Sequence, residues 1–273
     1  MAKEIPPLII YTIIFVVFII ALVTIIPTPL AVEKPVENFY DAIVSAKGGI
    51  AVWSTETQFA QIESVGPIEK AVLKTLAANK IKIIIEPFNP QGPQYVAKLL
   101  ADIKIEEVYG YKYGVDYVIM PYLAGEEVAF AKGTKFEEAY ATDFYGTPIQ
   151  NIPLLQGVKT FADIDLIICV HLTCTWPDMF IRQYWTVYHK PMILLTNGCS
   201  TAIAPYLGKG VIGYIDGLGM GAQFEFLANV PGGCMRMITP RSLQGLLIIC
   251  FVIAGNIIYF ATRLKGEKKE VKK

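Results

Sequence analysis

Two uncharged apolar runs constrain this chain more than any other feature. They cover Leu8–Ile26 and Leu243–Ala261, each 19 residues without Asp, Glu, Lys or Arg. A helix rises about 1.5 Å per residue, so either run can reach across a hydrocarbon core of roughly 30 Å. Tyr11 and Tyr259 sit near the outer ends, as interfacial anchors do. Lys3 is the one basic residue before the first run. Pro27, Pro29 and Pro35 follow that run in place of a small-residue cleavage site, which reads as an uncleaved anchor rather than a secretory signal. The expected organisation is a short tail over 1–7, a transmembrane helix over 8–29 and a linker over 30–48 with a short helix near 38–46. An α/β domain over 49–240, a second transmembrane helix over 242–262 and a basic tail over 263–273 complete it.

The tail carries Arg263, Lys265, Lys268, Lys269, Lys272 and Lys273. The excess of basic residues on cytoplasmic loops predicts both termini in the cytoplasm and the domain outside it. Lys34, Arg236 and Arg241 beside the runs oppose this reading, and the tail outweighs them. Cys169, Cys174, Cys199, Cys234 and Cys250 form no CxxC pair. Their apolar surroundings favour buried thiols over disulfides, which would suit a reducing compartment. The lipid bilayer is the first expected partner. A net charge of +0 leaves no electrostatic footprint for nucleic acid, and no cofactor or metal is expected.

Between the runs, apolar segments alternate with helical periodicity. Strands are predicted at 49–54, 81–86, 115–123, 165–170, 192–196 and 211–216. Helices are predicted at 63–78, 90–102, 126–140 (interrupted near Gly133), 177–189, 200–207 and 221–228. In the first of these, Ile68, Val72 and Leu76 recur at helical spacing. Strands separated by helices imply right-handed crossovers and a mostly parallel sheet. Strands apolar throughout imply a sheet covered on both faces. The expected fold is a Rossmann-like, mostly parallel α/β sheet flanked by helices, placed between two transmembrane helices. Tyr109, Tyr111 and Tyr113 alternate as an edge strand would.

Charge is uneven. Residues 33–143 hold 27 charged residues in 111 positions, and residues 144–240 hold 10 in 97. Depletion of charge with enrichment of aromatics marks an interface core. Trp176, Phe180, Trp185 and Tyr188 are the expected anchors for a second copy or a membrane-complex partner, although Phe180 also suits the domain's own core.

Ligands of parallel sheets bind beyond the carboxyl ends of the strands. Thr55, Asn89, Asn197, Gly198, Asp216, Gly217 and Gly219 are the candidate binding residues there. Gly217-Leu-Gly-Met-Gly-Ala222 fits a dinucleotide fingerprint variant, but no second strand with an acidic residue follows it, so a packing turn is the stronger reading. Asn197-Gly-Cys-Ser-Thr-Ala202 is a strand–turn–helix with two nucleophile types. Ser200 or Cys199 with His171 as base would make a hydrolase. A helix cap at Ser200 and a buried Cys199 are the simpler reading. His171, Cys174 and Cys199 are too few for a structural zinc site. The sequence therefore points first to a non-catalytic, membrane-anchored structural or scaffold subunit. A small-ligand-binding module and a membrane-bound Ser/Cys hydrolase follow as alternatives.

Overall fold

The computed structural model describes residues 7–23 and 31–270. Two compact units emerge, one formed by residues 30–235 and the other by residues 1–29 with 236–273.

The domain is built on six parallel strands: β1 (Ile50–Thr55), β2 (Lys82–Pro87), β3 (Tyr117–Ile119), β4 (Leu166–His171), β5 (Met192–Thr196) and β6 (Val211–Asp216). Their order is β3-β2-β1-β4-β5-β6, the order of doubly wound Rossmann-like sheets. In chain order the helices are α1 (Pro7–Val23), α2 (Lys34–Ser45), α3 (Gly66–Ala78), α4 (Gly92–Asp102), α5 (Ile105–Tyr109) and α6 (Glu127–Gly133). The second half adds α7 (Phe136–Ala139), α8 (Trp176–Phe180), α9 (Thr186–Tyr188), α10 (Ser200–Ile203), α11 (Gly217–Leu227) and α12 (Gly233–Glu270).

Side chains alternate across a strand, and here both sets are buried. Val52, Ile84, Ile167 and Leu194 meet Phe130, Phe161, Phe180 and Tyr184 in one core. Ala51, Trp53, Ile83, Ile168 and Ile193 are equally sealed. Each such Val, Leu, Ile or Phe side chain contributes about 1.5–3 kcal/mol of burial.

Four expectations need correction. The 30–48 segment is no linker, because α2 packs along β6 and buries Val36, Phe39, Ala42 and Ile43. Phe39 meets Phe224 edge-on at 5.6 Å, and Glu33 exchanges two hydrogen bonds with the Gln223 amide. Tyr109, Tyr111 and Tyr113 form no edge strand. Tyr109 ends α5, and Gly110 and Gly114 take positive φ on either side of the other two. Burial of the two following rings is satisfied by hydroxyl bonds, Tyr111 to Ile81 O at 2.7 Å and Tyr113 to Asp143 at 2.8 Å. The helix expected over 177–189 contains a π-helical turn at Ile181–Trp185. Finally, the helix after β6 starts at Gly217, not Gly221. Gly221 serves close packing there, since a Cβ would lie 2.8 Å from Ile68 and 2.9 Å from Cys234.

Among the described residues, one helix is long and apolar enough to cross a membrane, over Gly233–Phe260 of α12. It begins about ten residues before the expected span. Its first turn is fastened by Glu225, whose buried carboxylate accepts the N–H groups of Gly232, Cys234 and Met235 at 2.8–3.0 Å. A carboxylate there satisfies orphan amides and complements the helix dipole. The apolar N-terminal helix α1 has 17 residues. Residues 1–6 and 24–30, and the basic side chains after Ala261, lie outside the described residues.

The α2–β6 contact depends on Gly213, where a Cβ would lie 2.5 Å from Pro35 O and Phe39 N. Backbone cannot yield as a side-chain tip can. Gly213→Ala is therefore expected to destabilise the domain by about 1–3 kcal/mol, read as a lowered thermal midpoint. An unchanged midpoint would place α2 elsewhere.

Candidate functional site at the carboxyl edge of the sheet

In this order strands are added first on one side of β1 and then on the other, and the switch point between β1 and β4 is where a doubly wound sheet opens a crevice for ligands. Glu56 follows β1 and closes it. Its carboxylate accepts the N–H of Leu172 at 2.8 Å and of Thr173 at 2.9 Å, and it also takes the Thr173 hydroxyl. The turn after β4 thus presents three donors to a carboxylate of the same chain.

The next turn repeats the device. Asp216, at the end of β6, accepts the N–H of Gly198 at 2.5 Å and of Ser200 at 3.1 Å. Gly198 takes φ +94 and Gly217 takes φ +67, conformations that glycine adopts without a Cβ penalty. Between these two clamps a disulfide joins Cys174 to Cys199. Cys199 is therefore not a free nucleophile, and the expectation of unpaired thiols is corrected for this pair. Neither sulfur is available to join His171 on a metal. Among the described residues, no group of three His, Cys, Asp or Glu side chains is placed to hold one. Cys169 and Cys234 are free and buried.

His171 is fully buried against Phe180, with ring centroids 5.9 Å apart. Burial pushes its pKa down to about 4, so the ring is neutral at pH 7. Its Nδ1 lies 3.3 Å from Thr173 O. Its Nε2 has no partner, and neither has Thr196 Oγ1 on the neighbouring strand, which pairs with His171 in register. No hydrogen bond joins His171 to Ser200 among the described residues. Ser200 is fixed instead through its backbone to Asp216, and Cys199 occupies the cap position of the short α10.

The remaining candidates disperse. Thr55 is buried and hydrogen-bonds Thr57 at 2.6 Å. Asn89 turns back on the amide of Gln91 at 2.9 Å, opening α4. Asn197 is exposed, and Gly219 has open space around it. Trp176 and Phe180 are 6% and 0% exposed and belong to the aromatic core, so they are not surface anchors. Much of the charge-poor half is thus core, which explains its composition. Trp185 and Tyr188 are half-buried. Trp185 lines a cavity of about 690 Å³ with Pro35, Asn38, His189, Leu207 and Ile212, where β5 and β6 begin.

Glu86 and Glu69 are acids buried in the domain. Glu86, on β2, accepts from Tyr140 at 3.2 Å and leaves Oε2 unpartnered. Burial raises its pKa well above the carboxylate range, so it holds its proton. Glu69, on α3, accepts from Tyr95 at 2.5 Å and from Thr57 at 2.9 Å. Burial lifts its pKa to about 7 against those hydrogen bonds and the nearby Lys70. An acid on a buried strand or on the inward face of a helix was the available signal, at Glu86 inside Ile83–Pro87 and at Glu69 beside Ile68.

No protein-family model matches this chain, and no curated protein or solved structure matches it either.

Because the folded state binds the Glu69 proton more tightly than the unfolded chain, its stabilisation is complete below about pH 4.5 and lost as pH rises through about 7. The shift is worth about 3 kcal/mol. His171 acts oppositely, since its depressed pKa removes stability as pH falls from about 6.5 toward 4. The difference in stability between wild type and Glu69→Gln isolates the first effect. It should fall by about 3 kcal/mol from pH 4.5 to 7, measured by denaturant unfolding. A pH-independent difference would mean that burial does not raise the Glu69 pKa above its unfolded value.

Proposed function

We propose that this protein is a membrane-anchored, non-catalytic structural subunit whose extracytoplasmic α/β domain associates with a second copy of itself. The observation that carries this reading is the closed carboxyl edge. Donors that would receive a ligand's phosphate or carboxylate in a binding domain are held by Glu56 and Asp216. His171 is buried, neutral and not bonded to Ser200, which weighs against the hydrolase reading. The same contacts weigh against a small ligand at Thr55, Asn197, Gly198 or Gly217.

The membrane assignment rests on α12 together with the uncharged run Leu8–Ile26, as a two-pass arrangement with both termini cytoplasmic. The Cys174–Cys199 disulfide supports the outer side, because disulfides persist in oxidising compartments. Self-association is assigned to the surface around Trp185. Val187 and Ile212 nearby are 58% and 39% exposed, and the cavity beside them is mostly apolar. Two anchors hold every copy in one plane and one orientation, which lowers the orientational cost of pairing. A two-fold pair is the simplest closed assembly.

Protease added to sealed, right-side-out vesicles should digest the domain and spare the C-terminal tail; protection of the domain would reverse the topology. Crosslinking in native membranes should yield a dimer that is lost in Ile212→Asp with the fold retained. A chain that stays at 30.2 kDa before and after crosslinking would contradict self-association.

A further inference from the structure

The Cys174–Cys199 bond joins two turns that do not need it. The turn after β4 is already fastened by Glu56 through Leu172 and Thr173. The turn after β5 is already fastened by Asp216 through Gly198 and Ser200. A disulfide stabilises mainly by restricting the unfolded chain, so opening this one leaves both turns where they are.

Cys199 Sγ lies 3.4 Å from Leu172 O, and Cys174 Sγ lies 3.9 Å from Gly198 O. Each sulfur therefore has a backbone carbonyl close by, to which its S–H can turn once the bond opens. The two sulfurs also differ in access. Cys174 is exposed, whereas Cys199 is 1% exposed. An incoming thiolate can reach one sulfur and not the other. Cys169 and Cys234 are buried, and burial raises the pKa of both thiols, so neither competes as a thiolate; Cys250, free and exposed on α12, is replaced by Ser throughout the test.

We propose that Cys174–Cys199 is a thiol–disulfide exchange site that accepts two electrons from an external dithiol at the carboxyl edge of the sheet. A thiolate of the dithiol attacks Cys174 Sγ. The Cys174–Cys199 bond breaks, and Cys199 leaves as a thiolate that takes a proton from solvent. The dithiol's second sulfur then attacks its own partner sulfur in the mixed disulfide. That closes the external disulfide and releases Cys174, which is protonated in turn. The external dithiol is oxidised and this pair is reduced, with two electrons and two protons transferred. Glu56 and Asp216 act here as positioning residues, since they hold the two turns in register while the bond opens and closes.

The test uses the full chain in detergent, equilibrated with mixtures of reduced and oxidised dithiothreitol, then acid-quenched, unfolded and alkylated. Under reducing mixtures Cys174 and Cys199 should become labelled together, with near-UV circular dichroism retained. Oxidising mixtures should restore the bond. With glutathione disulfide as probe, Cys199→Ser should trap a mixed disulfide on Cys174, and Cys174→Ser should trap none on Cys199. Reduction that occurs only on unfolding, or that abolishes the near-UV signal, would make the bond a staple and overturn the proposal. If either variant misfolds, the wild-type titration decides alone.

Discussion

Carboxylates that accept several backbone amides are the interaction on which this domain depends. Parallel strands end in turns whose N–H groups have no ladder partner, and a buried unpaired donor costs about 1–3 kcal/mol. Glu56, Asp216 and Glu225 each take two or three such donors. Two of them seal the carboxyl edge of the sheet, and the third seats the first turn of α12. The same solution recurs at Asp143, which accepts the amides of Tyr145 and Thr147, and at Asp163, which accepts those of Lys159 and Thr160.

This has a functional consequence. In doubly wound folds a ligand completes the hydrogen bonding at the switch point. Here Glu56 and Asp216 take the backbone donors of the two turns, while His171 Nε2 and Thr196 Oγ1 have no partner. An anion entering that crevice must displace Glu56 and leave its carboxylate to find water. That requirement, rather than the absence of a glycine-rich turn after β1, is why the strand order by itself says little about activity. The disulfide adds a chemical group to an edge already closed mechanically, and this redundancy leaves it free to change redox state.

The sheet was legible because its strands are continuous apolar runs with hard borders. β5 and β6 fall on the expected residues, the first between Pro191 and Asn197 and the second between Gly210 and Gly217. The strand expected over 115–123 shrinks to Tyr117–Ile119, because Pro121 cannot extend the ladder. The short helix expected near 38–46 is the longer α2, which Pro35 opens in its first turn and whose Val36, Phe39 and Ile43 are buried. The site was less legible. Asp216 and Glu56 could be placed at strand ends, but which amides they meet depends on how two turns fold toward each other. The Cys174–Cys199 pairing depends on the same geometry, and the burial of Trp176 and Phe180 on the packing of α6 against the helical run after β4.

Amide hydrogen exchange on the ligand-free protein reads both carboxylate clamps directly. The N–H groups of Leu172, Thr173, Gly198 and Ser200 should be protected. Glu56→Ala should release the first two alone, and Asp216→Ala the last two alone. Exchange of all four at unprotected rates in the wild-type protein would mean that the carboxyl edge is open, and the account of a self-closed, non-catalytic domain would fail.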